Sequence, residues 1–167
     1  MGLSNLVEAC VKLATQRYDF RVIIGGTGSL KAKLEQFIVE KGLTEFVELV
    51  GFVPEEAMNE YYLVSDCMVV PSQELEGFGL VALEAWARGL PVLATPVGGM
   101  KELLTCHTPE CIAEGIDPEC IARRMSWFME LSLEEREALS RRVRQVVEEY
   151  YWDNLVDRYL RAIEERI

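Results

Sequence analysis

Residues 67–99 read CMVVPSQELEGFGLVALEAWARGLPVLATPVGG, and this stretch decides the architecture. A short apolar strand, Cys67-Met68-Val69-Val70, runs into a loop that ends Glu76-Gly77-Phe78-Gly79. A helical pattern follows from Leu80 to Arg88, and Gly89 stops it. A second strand, Pro91 to Thr95, leads to another glycine loop at Gly98-Gly99. Strand, glycine turn, helix, strand is the repeating unit of an open parallel sheet. Such sheets place small-molecule sites beyond the carboxyl ends of their strands.

The residue types in that turn suggest a ligand chemistry. Gly77 and Gly79 allow the backbone to approach a ligand with no side chain in between. The amides that open the next helix, together with its dipole, favour an anion such as phosphate. Glu76 and Glu84 bracket the turn. An ionised carboxylate only accepts hydrogen bonds, so its natural ligand partner is a hydroxyl. Ribose and hexose rings supply vicinal hydroxyls, and the combination suits a sugar nucleotide. Plainer readings stay open. The two glycines can serve a tight turn alone. Glu84 stands four residues before Arg88, the spacing of a helical surface ion pair. It also shares a face with Leu80, Val81 and Ala87, where a half-buried carboxylate would need a partner.

Composition sets bounds on the rest. The 167 residues suffice for one domain, 1–167, with a sizeable core, and half are hydrophobic. A net charge of -11 argues against general nucleic-acid binding, where a basic face supplies the affinity. The opening residues do not read as a secretory leader, and no apolar run approaches membrane-spanning length. Five cysteines without framework spacing fit a reducing, cytoplasmic setting. Cys106, His107, Cys111 and Cys120 match none of the usual zinc spacings, so no metal is expected.

Upstream, Leu3, Leu6, Val7, Cys10, Val11 and Ala14 recur at helical spacing, with Ser4 as the expected cap. Arg21 to Gly26 reads as the first strand, and Gly25-Gly-Thr-Gly28 turns into a helix from about Leu30 to Lys41. Gly42 ends it; Phe46 to Val50 is the next strand, and Pro54 is expected at the first position of a helix. Met58, Tyr61, Tyr62 and Val64 are expected to pack that helix on the sheet. Downstream, Cys111 to Glu114 reads as a last, poor strand, and Asp117-Pro118 opens a helix to about Leu131. Ser132 and Glu135 form a capping-box pattern, and Trp152-Asp153 introduce a final helix ending near Ile167.

The string Glu76-Gly-Phe-Gly-Leu-Val-Ala-Leu-Glu84 resembles the Glu-x7-Glu motif of retaining, family-4-type (group 1) glycosyltransferases with the GT-B fold. Gly25-Gly-Thr-Gly28, Gly51-Phe-Val-Pro54, Ser65-Asp66 to Ser72, Gly89 to Thr95 and Gly98 to Glu102 resemble further segments of that family, in its order. The resemblance implies an α/β fold, a Rossmann-like open parallel sheet with helices on both faces, and the donor-binding carboxyl-terminal half of the enzyme. It implies that Glu76 is catalytic, accepting hydroxyls of the transferred sugar, and that Glu84 accepts ribose hydroxyls. Gly77, Phe78, Gly79 and Leu80 would line the sugar or diphosphate, with Gly28 in the neighbouring glycine loop and Val53 against the base. The donor would be a nucleotide-diphosphate sugar, with no further cofactor. The last helix would lie back across a domain cleft.

The chain departs from the family pattern at its start. The family's central strand, with an arginine and a following lysine that clamp the diphosphate, has no counterpart here; Met1 falls at the lysine position. The sheet is therefore expected to lack its central strand, and the chain to be inactive alone. It would pair with an amino-terminal GT-B domain or self-associate. A non-catalytic nucleotide-binding assembly module and a sugar-nucleotide epimerase are the rival readings.

Overall fold

Short parallel strands alternate with helices in the computed structural model, which describes residues 2–74, 77 and 79–164. In chain order these are α1 (Leu3–Thr15), β1 (Val22–Gly25), α2 (Lys31–Glu40), β2 (Val47–Gly51), α3 (Glu55–Val64), β3 (Met68–Val70) and α4 (Leu80–Ala87). They continue with β4 (Val92–Ala94), α5 (Gly98–His107), a 3-10 turn (Pro109–Cys111), α6 (Pro118–Glu130), α7 (Leu133–Glu148) and α8 (Trp152–Glu164). The fold is α/β with parallel strands, as the sequence implies.

The strands form two separate pairs. β1 lies parallel to β2, matching Val22 to Val47 and Ile24 to Leu49, with a bulge before Gly25 meets Gly51. β3 lies parallel to β4, matching Met68 to Val92 and Val70 to Ala94. Among the described residues no ladder joins β1 to β3. The interruption agrees with a sheet that lacks its central strand.

The core is gathered around the second pair. Leu13, Trp86, Val92, Leu93, Met100, Leu104 and Val143 are almost fully buried, and they come from α1, α4, β4, α5 and α7. α1 packs along α6, burying Leu6, Val7, Cys10 and Leu13 at helical spacing. α7 covers α4, and its Arg144 guanidinium donates to the Arg88 carbonyl at 3.0 Å where α4 ends. Gly89 must be glycine there: its φ is +75°, and a Cβ would lie 2.3 Å from Arg144 Nε. α6 and α7 are capped as read, by Asp117 and by a complete Ser132–Glu135 capping box.

Four local expectations are corrected. Ser4 does not cap α1; Gly2 does, without a side-chain bond. The helix begins where Gly2 presses on the Pro71 carbonyl, a contact so close that a Cβ would sit 1.6 Å from the oxygen. Pro54 is the cap of α3 rather than its first helical residue, with extended backbone, and Glu55 and Glu56 fill the first turn, where the helix dipole favours acids. Tyr62 is buried and Met58 and Tyr61 are half-buried, but Val64 is 74% exposed. Two residues beyond Tyr62, it stands on the opposite side of the helix. Finally, Cys111 to Glu114 forms no strand. The 3-10 turn consumes its start, leaving one parallel bridge from Ile112 to Ala94.

α8 leaves Trp152, Val156, Leu160 and Ile163 exposed, at intervals that put them along one side of the helix.

Candidate functional site

Loops at the carboxyl ends of the strands hold the sequence-derived residues. The loop after β3 is fixed at its root. Thr95, beyond β4, donates its amide to the Val70 carbonyl at 3.2 Å and its hydroxyl to the Ser72 carbonyl at 2.6 Å. The start of α1 abuts Pro71 from another side. At the far end Gly79 caps α4 with φ +85°, and its carbonyl accepts the Ala82 amide at 2.8 Å. A Cβ on Gly79 would come within 2.9 Å of Met100 Cε on α5. Gly79 is therefore a buried turn residue, and Gly77 is the exposed glycine of the pair, with open space around it. Glu76 and Phe78 lie outside the described residues. Leu80 is 67% exposed at the mouth of α4.

Glu84 stands one turn into α4 with its side chain exposed. The ion pair suggested by its spacing to Arg88 does not form. Arg88 instead donates to the Glu84 main-chain carbonyl at 2.8 Å and to Asn59 Oδ1 at 2.7 Å, with its guanidinium 4.9 Å from the centre of the Tyr62 ring. Among the described residues the Tyr62 hydroxyl is the group that reaches the Glu84 carboxylate, donating to Oε2 at 3.3 Å. Burial, followed by the nearby Glu84 charge, pushes the Tyr62 phenol above its ordinary value, so the hydroxyl keeps its proton. Sequence reasoning placed Tyr62 in the core and missed this second role. No local signal could have shown it, because Tyr62 and Glu84 belong to different helices separated by β3.

The other loops gather around β1 and β2. Val53 packs on Gly25, where a Cβ would meet Val53 Cγ2 at 3.0 Å. Gly26 donates its amide to the Gly51 carbonyl at 2.6 Å, tying the two loops together. Lys31, at the start of α2, lies beside Gly51 and is 3.7 Å from Glu35. Gly28 has open space around it. Among the described residues the expected ones thus fall into two groups, Gly25 and Gly28 with Val53, and Gly77, Gly79, Leu80 and Glu84, which Tyr62 joins.

The cysteines and histidine drawn together by sequence are dispersed in use. Cys111 is buried, and burial pushes its thiol up to about 12. Cys106 is exposed, Cys120 accepts from Arg123 at 3.3 Å, and His107 bonds the Tyr150 hydroxyl at 2.9 Å. No group of three or more potential metal ligands occurs among the described residues, and no helix among them is long and apolar enough to cross a membrane.

Comparison with known proteins bears on this geometry. Residues 1–146 match the family described as Glycosyl transferases group 1. An uncharacterized glycosyltransferase of Methanocaldococcus jannaschii is 31% identical over 158 residues, covering 92% of this chain and 39% of that protein. The chain thus spans about two fifths of the length of the first curated relatives it matches. Among solved structures, the C-terminal domain of a group 1 glycosyl transferase from Francisella tularensis superposes with a TM-score of 0.75 at 25% identity, over 88% of this chain and 77% of that one. Anabaena HepE, solved in complex with UDP and glucose, superposes with a TM-score of 0.77 at 18% identity, over 98% of this chain and 44% of that one. With a GT-B-type α/β fold and a family match over most of its length, the chain belongs to the group 1 glycosyltransferases.

Proposed function

We propose that this chain is the nucleotide-sugar-binding, carboxyl-terminal half of a retaining GT-B glycosyltransferase, which moves a sugar from a nucleotide diphosphate to an acceptor hydroxyl. The observation that carries the reading is Glu84: an exposed carboxylate one turn behind the opening of α4, with no Lys or Arg paired to it among the described residues. Such a group is free to accept ligand hydroxyls. Leu80 and the amides around Gly77, Phe78 and Gly79 would face the sugar or diphosphate, since the first amides of a helix have no partner within it. Glu76 would accept hydroxyls of the transferred sugar. Val53, seated on Gly25, would border the base, with Gly28 in the adjoining loop. The HepE complex, which holds UDP and glucose, supports this class of donor. No metal is needed in this scheme, and the setting would be cytoplasmic.

Transfer also needs an acceptor site and cations for the diphosphate of the leaving group. We assign both to polypeptide outside residues 1–167, so the isolated chain should bind without turning over. The two unjoined strand pairs favour completion by such a partner or by a second copy. Family membership favours transfer over epimerisation.

Calorimetry with UDP, GDP and ADP tests the reading. One of the three should bind, and Glu84→Ala should weaken that binding by about tenfold or more, the worth of hydrogen bonds to a charged group. Equal binding by both proteins would remove Glu84 from the ribose role. Turnover of a nucleotide sugar by the purified chain would refute its dependence on a partner.

A further inference from the structure

We propose that Tyr62 is the positioning residue of the nucleotide site: its hydroxyl fixes one oxygen of Glu84 so that the rest of the carboxylate meets the ligand. The inference rests on the ribose reading of Glu84.

A glutamate on a helix surface samples several rotamers, and holding one for a diol costs entropy. Tyr62 lowers that cost. It is 8% exposed, its ring lies under the Arg88 guanidinium at the end of α4, and its hydroxyl stands 3.3 Å from Glu84 Oε2. The phenol donates a single proton, whereas an ionised carboxylate has about four acceptor positions. One bond to Oε2 leaves Oε1 and the second lone pair of Oε2 for two neighbouring hydroxyls. The same cluster keeps the acid unneutralised. Arg88, four residues on, would otherwise pair with Glu84. Its guanidinium is instead taken up by Asn59 Oδ1 and the Glu84 main-chain carbonyl, and it lies against the Tyr62 ring. The tyrosine therefore acts twice, as a hydrogen-bond donor to the carboxylate and as a platform for the cation.

A double-mutant cycle separates positioning from packing. Tyr62→Phe keeps the ring, its burial and the Arg88 platform, and removes only the hydroxyl. The measurement is the Kd of whichever of UDP, GDP or ADP binds the full chain most tightly, with thermal unfolding of each variant as the check on folding. Expected is a loss of about five- to tenfold on Tyr62→Phe, the net worth of one ordinary hydrogen bond, in keeping with its 3.3 Å length. In the Glu84→Ala background the same change should have no further effect. The 3′-deoxy analogue of the nucleotide should be less sensitive to Tyr62→Phe than the parent.

If Glu84→Ala weakens binding and Tyr62→Phe does not, the positioning role falls and the ribose reading stands. If Tyr62→Phe weakens binding equally in both backgrounds, the hydroxyl acts on the fold rather than through Glu84, and the proposal is again overturned. If Glu84→Ala leaves binding unchanged, or none of the three nucleotides binds, both readings fall together.

Discussion

The two strand pairs are built alike and buried differently. Each consists of two short parallel strands with a glycine-bearing loop at the carboxyl end. All of β4 is buried, enclosed by β3, α4, α6 and the 3-10 turn. β1, by contrast, alternates half-buried and exposed, and Ile23 is 40% exposed in a strand whose composition suits full burial. β4 is thus a finished core strand, with β3 half-buried beside it, whereas β1–β2 has an apolar strand still open to solvent. A ligand bridging the two glycine loops would contact one rigid wall and one less constrained.

The sharpest way to break this contrast is to remove one large side chain from each half. Trp86 is fully buried in α4, and Trp86→Ala should cost about 3–5 kcal/mol, as such deletions do in well-packed cores. Ile23→Ala should cost about 1 kcal/mol or less, because the side chain is only partly withdrawn from water. Urea unfolding of the two variants reads the difference directly. Similar losses would show that the β1–β2 half is as tightly held as its neighbour.

Glycine substitutions make the same comparison at the loops. Gly79→Ala meets two obstacles, φ +85° and a Cβ 2.9 Å from Met100 Cε. The backbone term alone is about 1–2 kcal/mol, and the thermal midpoint should fall clearly. Gly28→Ala has open space and should be neutral or stabilising by up to about 1 kcal/mol. A large loss at Gly28 would mean that the first glycine loop is more constrained than its surroundings indicate.

Much of this organisation was legible in the sequence because it is local. Helix and strand periodicity, Gly42 and Gly89 as stops, and the Ser132–Glu135 box all depend on residues a few positions apart. Expectations failed where a distant partner intervened. Ser4 lost the cap of α1 because Gly2 meets Pro71, far along the chain. The Glu84–Arg88 pair gave way because Asn59, on another helix, takes the guanidinium. The site was legible as a set of residue types, but the Tyr62 hydroxyl that holds Glu84 was not, since two packed helices create that contact.

Hydrogen exchange sharpens the comparison without mutation. Amides of the β3–β4 ladder should exchange near the rate set by global unfolding. Those of β1–β2 should exchange at least about tenfold faster, through local opening. Addition of the nucleotide that binds should slow the β1–β2 amides more if the ligand spans both loops. Equal protection in the free protein would abolish the distinction between a finished and an open half.

The smallest effect concerns the cover of the buried half under acid. Glu135 accepts from the Ser132 amide at 2.8 Å and from its hydroxyl at 2.8 Å, which caps the start of α7, the helix that packs on α4. The bond from the Ser132 amide, followed by that from its hydroxyl, holds the Glu135 carboxyl below its ordinary value. Because the folded value lies below the unfolded one, this carboxylate contributes stability that is complete above the ordinary glutamate value. That contribution is lost as the pH falls through the folded value. In Glu135→Gln the side chain can still accept the cap bonds but cannot titrate. The variant should therefore be slightly less stable near pH 7 and show a shallower loss between about pH 4.5 and lower. Thermal melts across that window would give parallel curves for the two proteins if the capping carboxylate contributes nothing to acid sensitivity.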